Sequence, residues 1–201
     1  MNIPNQITTG RLLLSLVFLG LLSQFDWAHR SEQLPLISWA FWIFIVCAVG
    51  DIVDGYLARR HNQITSLGRV LDPFADKILV CGGFVMLLGT GFNDAEGRSV
   101  TGLEAWMVVV IVGRELLISS LRGFSEASGK PYAANYWGKV KMVIQSVTVP
   151  WIIRTLGPAR EVPWLMTARD VLIWSTIIVT VLSTLSYLSA SRAALLEKSR
   201  G

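Results

Sequence analysis

Four aspartates between positions 51 and 76 are where this sequence offers chemistry. The stretch reads DIVDGYLARRHNQITSLGRVLDPFAD, with long apolar runs on both sides. Asp51 and Asp54 sit three apart, and Asp72 and Asp76 sit four apart. Either spacing places a pair on one face of a helix. A carboxylate at the centre of a bilayer costs on the order of 3 kcal/mol, and less near a helix end. Four held close together also repel one another, more so as water is excluded. Protonation relieves that repulsion, and so does a divalent cation. Clustered carboxylates are the hard oxygen donors that Mg²⁺, Mn²⁺ or Ca²⁺ prefer. A plainer role, capping helices or pairing with Arg59, Arg69 and Lys77, suits a lone aspartate better than four at these spacings.

The residues between the two pairs narrow the chemistry. Gly55 follows Asp54, Ala58 lies one turn on, and Gly68 lies one turn before Asp72. Small side chains let a flat or bulky group approach the helix backbone, although close helix packing uses them too. Arg59 presents a guanidinium fork that bridges phosphate oxygens. Metals, a slot of small residues and a guanidinium together suit a pyrophosphate.

The elements that must position these groups follow from hydropathy. The chain has 201 residues, 52% of them hydrophobic, which points away from an ordinary soluble domain and toward a polytopic membrane protein. A spanning helix needs roughly 20 mainly apolar residues. Six candidates result, at 6–22, 36–58, 67–88, 105–121, 137–155 and 171–190. The connectors at 31–35, 89–102, 123–131 and 157–163 carry breakers and charge. Most of the purely apolar runs are too short to cross alone. The first five spans must therefore take in polar neighbours: Thr8, Thr9 and Arg11; Asp51 and Asp54; Asp72, Asp76 and Lys77; Arg114 and Glu115; Lys139 and Lys141. All of these fall in one half of the membrane, and the sixth span is apolar throughout. The expected fold is all-α, a single domain over 1–201 with six transmembrane helices. A polar cavity lined by the first five would open to one side.

Charge sets the orientation. With both termini on one side, that side collects 13 of the 18 Lys and Arg residues and the other side 5. The positive-inside rule then puts the termini and the cavity in the cytoplasm. The N-terminus has no basic region, short apolar core and cleavage site, so a removed signal peptide is not expected. Cys47 and Cys81 lie in apolar runs and read as small buried hydrophobes. Trp27, Trp39, Trp106, Trp151 and Trp164 fall near predicted interfaces, as belt residues do. No nucleic-acid partner is expected.

The fixed residues Asp51, Asp54, Gly55, Ala58, Arg59, Gly68, Asp72 and Asp76 match the signature of the CDP-alcohol phosphatidyltransferase family at every position, with the spacings intact. The resemblance extends to NIPNQITTGR at the start, LDPFADKILV, GRELLISSLRG and ANYWGKVKM, which are similar to the bacterial phosphatidylglycerophosphate synthase branch. It covers most of the chain from position 2 to about 148.

The resemblance implies an enzyme that joins the phosphatidyl group of CDP-diacylglycerol to a small alcohol and releases CMP. It implies two divalent cations, Mg²⁺ or Mn²⁺, held by Asp51, Asp54, Asp72 and Asp76, with Asp76 also the base for the acceptor hydroxyl. Asp54, Gly55, Ala58, Arg59 and Gly68 match the CDP-binding positions. A homodimer in the cytoplasmic membrane is implied as well. If the acceptor is sn-glycerol 3-phosphate, its phosphate needs cations, and Arg114, Arg122 and Lys139 are the candidates. Arg114 and Arg122 are eight apart and lie within about 80° on one helix face. Arg122 and Lys139 also suit contact with anionic lipid. Lys141 is expected to face away from Lys139 and snorkel. The alternatives are another acceptor (inositol phosphate, serine or phosphatidylglycerol) and, from a different class, a cation-coupled transporter, which would carry charge along a full path through the membrane.

Overall fold

The structure is a computed structural model describing residues 3–61, 66–127 and 136–198, with side chains described over 8–51, 71, 73–125 and 136–189. Six α-helices follow in order: α1 (Ile3–Ser23), α2 (Leu34–His61), α3 (Ser66–Met86), α4 (Ala105–Ala127), α5 (Tyr136–Arg154) and α6 (Pro163–Lys198). Among the described residues there is no strand, only an isolated bridge between Asn93 and Ser99. The first five helices lie where hydropathy places them, with their ends shifted by up to six residues. α2 opens at Leu34 with Pro35 second, where the missing N–H costs nothing and φ is already helical. α4 runs on through Gly123 to Ala127, so the expected connector at 123–131 begins later.

α6 departs most from expectation. It begins at Pro163, eight residues before the apolar run that announces it. Its first two turns contain Thr167, Arg169 and Asp170, which hydropathy reads as loop. Arg169 is nevertheless buried. Its Nη1 donates to the Val100 carbonyl at 3.0 Å, and its Nε and Nη2 donate to Asp170 at 2.9 and 2.7 Å. Bonded in this way, a guanidinium is tolerated where a bare charge is not. Gly102, at φ 77°, makes room for it: a Cβ there would meet the guanidinium carbon at 3.1 Å.

Arg160 donates to the same Val100 carbonyl at 3.0 Å, and its guanidinium lies 4.8 Å from the centre of the Trp27 ring. The connection between α3 and α4 is thus tied to the start of α6. Within it, Asp94 accepts from the backbone N–H of Arg98 at 2.8 Å and of Glu96 at 3.1 Å. These bonds, the Arg98 amide foremost, hold the Asp94 carboxyl below the usual carboxylate range.

The apolar core occupies one end of the bundle. Phe18 of α1 meets Phe44 of α2 edge-on at 5.5 Å, and Phe25 stacks on Phe92 at 4.9 Å. Phe84, Leu87, Met107, Ile111, Ile152, Ile153 and Ile173 complete it. Because successive helices run in opposite directions, the carboxylates late in α2 and early in α3 come to the other end. The polar residues late in α4 and early in α5 join them there.

α6 also corrects the expectation of an apolar sixth helix. Thr176, Thr180 and Ser183 are fully or almost fully buried on it. Thr176 shares a 2.8 Å hydroxyl contact with Thr148 of α5, and Gln145 donates to Thr180 at 3.5 Å. Among the described residues, two helices carry stretches long and apolar enough to cross a membrane, Leu34–Asp51 and Pro163–Ser189. All six expose large apolar side chains, among them Leu16, Trp39, Val85, Val109, Val143 and Ile178.

Candidate active site

At the polar end of the bundle lies a cavity of about 340 Å³. α2 contributes Asp51, and α3 contributes Pro73, Asp76 and Lys77. α4 adds Arg114, Glu115, Ile118, Ser119 and Arg122, and α5 adds Gly138, Lys139, Lys141 and Met142. Tyr187 closes the wall from α6. The expectation of a cavity lined by the first five helices is therefore corrected: among the described residues the sixth helix lines it and the first does not.

The lining is polarised. Asp51 and Asp76 come from α2 and α3, whereas Arg114, Arg122, Lys139 and Lys141 come from α4 and α5. The α2–α3 side thus carries two carboxylates with one cation, Lys77, and the α4–α5 side carries four cations with one carboxylate, Glu115. Of the expected metal and nucleotide residues, Asp54, Gly55, Ala58 and Arg59 fall on α2, and Gly68 and Asp72 fall on α3. Their side chains lie outside the described residues. The part of the carboxylate set that is described, Asp51 with Asp76, faces a common space, as divalent-cation chemistry requires.

Asp51 does not stand alone. Arg11, buried in α1, brings Nη1 to within 2.7 Å of Asp51 Oδ1. On the opposite wall Glu115 joins two helices. Its Oε1 accepts from Arg114 Nη1 at 2.9 Å and from Lys141 Nζ at 2.5 Å. Glu115 thus pairs with another helix, as a carboxylate at its depth must. Lys141 does not snorkel. It is buried and lines the cavity beside Lys139. The two are only two residues apart, but the cavity is wide enough to meet both directions of the α5 surface.

All three candidate acceptor cations, Arg114, Arg122 and Lys139, face this cavity. Arg114 is held from several sides. Beyond Glu115, its Nη2 donates to Ser183 at 2.7 Å, and its guanidinium carbon lies 5.5 Å from the centre of the Tyr187 ring. Its Nε is buried and has no hydrogen-bond partner among the described residues. Arg122 Nη2 donates to the Tyr187 hydroxyl at 3.5 Å. Gly138 of α5 packs against the same ring, a Cβ there lying 3.4 Å from the Tyr187 hydroxyl, at ordinary contact distance. Tyr187 was invisible in the sequence as a site residue. It is uncharged and sits inside the run that marks α6, and only its position near the end of that run sets it at the cavity.

Comparison with known proteins agrees with the motif. A family model described as CDP-alcohol phosphatidyltransferase matches residues 1–182. The chain is 35% identical to the Bacillus subtilis CDP-diacylglycerol–glycerol-3-phosphate 3-phosphatidyltransferase, covering 96% of this chain and 97% of the relative. It is 33% identical to the proteins of the same name from Escherichia coli K12 and Salmonella paratyphi A, covering 98% of each partner in both cases. With its motif, its cavity and these relatives in agreement along nearly the whole length, the chain belongs to the CDP-alcohol phosphatidyltransferase family.

Proposed function

We propose that this enzyme transfers the phosphatidyl group of CDP-diacylglycerol to sn-glycerol 3-phosphate, giving phosphatidylglycerophosphate and CMP. One observation carries the reading: two carboxylates on α2 and α3 share one cavity with an excess of cations on α4 and α5. The relatives' name supplies the two substrates that such a lining suits.

The family uses divalent cations. Two of them, Mg²⁺ or Mn²⁺, are read as held by Asp51, Asp54, Asp72 and Asp76. When bound they supply positive charge that polarises the phosphate under attack and steadies the departing one. The chain's own residues do the rest. Arg59 grips the pyrophosphate, while Gly55, Ala58 and Gly68 leave room for the nucleotide beside it. Arg114, Arg122 and Lys139 bind the phosphate of the acceptor and turn its free hydroxyl toward Asp76. The acceptor oxygen forms a bond to the phosphorus that carries diacylglycerol, the bond from that phosphorus to the CMP oxygen breaks, and Asp76 takes the hydroxyl proton.

We read all six helices as spans, with both termini and the cavity mouth in the cytoplasm and the enzyme in the cytoplasmic membrane as a homodimer. The exposed apolar side chains on every helix support the spans, and the 13-to-5 division of Lys and Arg supports the orientation. The family resemblance supports the dimer.

The test is CMP release by the purified enzyme given CDP-diacylglycerol and one acceptor at a time. Glycerol 3-phosphate is expected to give product, with inositol phosphate and serine inactive. Product from either of those and none from glycerol 3-phosphate would end the assignment. Asp76→Asn is expected to lower turnover at least a hundredfold while the protein elutes and melts as the wild type does. Near-normal turnover in that variant would remove Asp76 as the base.

A further inference from the structure

Arg11 grips α2 at two points one turn apart. Its Nη1 lies 2.7 Å from Asp51 Oδ1, and its Nε donates to the Cys47 carbonyl at 3.2 Å. In an α-helix the carbonyl of residue 47 is also the acceptor for the N–H of residue 51. The guanidinium is thus referenced to the same turn whose end carries the carboxylate. Its stem lies over Gly50, where a Cβ would meet Arg11 Cδ at 3.3 Å and Cγ at 3.6 Å. The Arg11 backbone is engaged as well, its carbonyl accepting from Ser15 Oγ at 2.8 Å. Arg11 is buried and is not part of the cavity wall, whereas Asp51 is. The guanidinium therefore approaches Asp51 from behind.

We infer that Arg11 is a positioning residue for the metal site: it fixes the orientation of the Asp51 carboxylate toward the cavity. The inference rests on reading Asp51 as a ligand for a divalent cation. A carboxylate has about four lone-pair sites, so a donor on one side of Oδ1 leaves others for a cation. Partners of this kind orient a ligand before the metal arrives, and their loss typically costs 10- to 100-fold in metal affinity. The competing account is an ordinary buried ion pair that only neutralises Asp51 within the α1–α2 contact. That account makes Arg11 matter for stability and gives it no influence on metal binding in the folded protein.

Mn²⁺ binding to the full-length protein in detergent, followed by electron paramagnetic resonance without lipid substrate, separates the two. Asp51→Asn serves as the control. The wild type is expected to bind Mn²⁺ and Asp51→Asn to lose that binding. Arg11→Lys keeps the charge but not the two-point grip. It is expected to weaken binding by about 10- to 100-fold, with elution and helical circular dichroism unchanged. A Cβ at position 50 already meets the Arg11 stem at 3.3 Å, so the two further methyls of Gly50→Val push the stem aside without touching its charge, and that variant is expected to weaken binding in the same direction. If Arg11→Lys does not fold, Gly50→Val decides. Wild-type affinity or tighter binding in the folded Arg11→Lys protein, or in Gly50→Val where Lys does not fold, overturns the positioning role and leaves Asp51 as a ligand. Mn²⁺ binding that Asp51→Asn does not change overturns the ligand reading itself, and the inference with it.

Discussion

Tyr187 shows how an uncharged residue enters an ionic site. Its ring faces the Arg114 guanidinium, and its hydroxyl accepts from Arg122. The two cations proposed to bind the acceptor phosphate thus share one aromatic partner. A contact of this kind is worth about 1 kcal/mol, roughly fivefold in affinity. Tyr187→Phe keeps the ring, so KM for glycerol 3-phosphate should rise only a few-fold. Tyr187→Ala should raise it by about tenfold. In both, kcat at saturating acceptor should change little, because the contact acts on binding. Steady-state kinetics with CDP-diacylglycerol held saturating gives the answer, and an unchanged KM in Tyr187→Ala would detach Tyr187 from the acceptor. Charge made Arg114 legible in the sequence, since a guanidinium so deep in an apolar run demands a partner. Nothing equivalent marks a tyrosine, and which residue Arg114 would stack on is a tertiary fact.

Among the elements, the joint between α4 and α5 depends on one carboxylate. Glu115 serves both Arg114 and Lys141, all three buried. Removing the anion leaves two cations without compensation in a poorly solvated place, a loss of about 3–5 kcal/mol. Glu115→Gln should therefore lower the melting temperature of the detergent-solubilised protein markedly. Adding Lys141→Met should restore part of the loss, because it removes one stranded charge. A melting temperature equal to the wild type in Glu115→Gln would show that water already reaches the joint. The same region marks a boundary of what helical spacing reveals. Lys139 and Lys141 point in different directions on an ideal helix, and that geometry alone sends one of them away. The cavity instead spreads across several directions of α5, a width set by how α4 and α6 pack against it. At the start of α6, hydropathy failed for a related reason. The polar residues there are paid for by particular bonds to Val100 and Asp170, which no local pattern contains.

For the whole molecule, the apolar runs made five helices readable to within about six residues of their ends, and the sixth only over 171–190 of a helix that runs from Pro163 to Lys198. Short apolar runs beside charged neighbours also foretold that the polar residues would gather at one end, where the cavity lies. The orientation proposed from the basic residues has a direct test. Alkaline phosphatase fused after residue 201 should be inactive in cells, and the same enzyme inserted near residue 96 should be active. The reverse pattern would turn the cavity outward. Within that arrangement α6 links the two membrane surfaces. Arg169 is pinned to the Val100 carbonyl near its start, and Tyr187 meets Arg114 and Arg122 eighteen residues later. At 1.5 Å per residue that is about 27 Å, close to the thickness of a bilayer's hydrocarbon layer. On the proposed reading of α6 as a span, the helix is a ruler as much as a wall: a thicker or thinner bilayer would change its tilt and so the height at which Tyr187 meets the arginines, which would couple the acyl length of the surrounding lipid to the grip on the proposed acceptor.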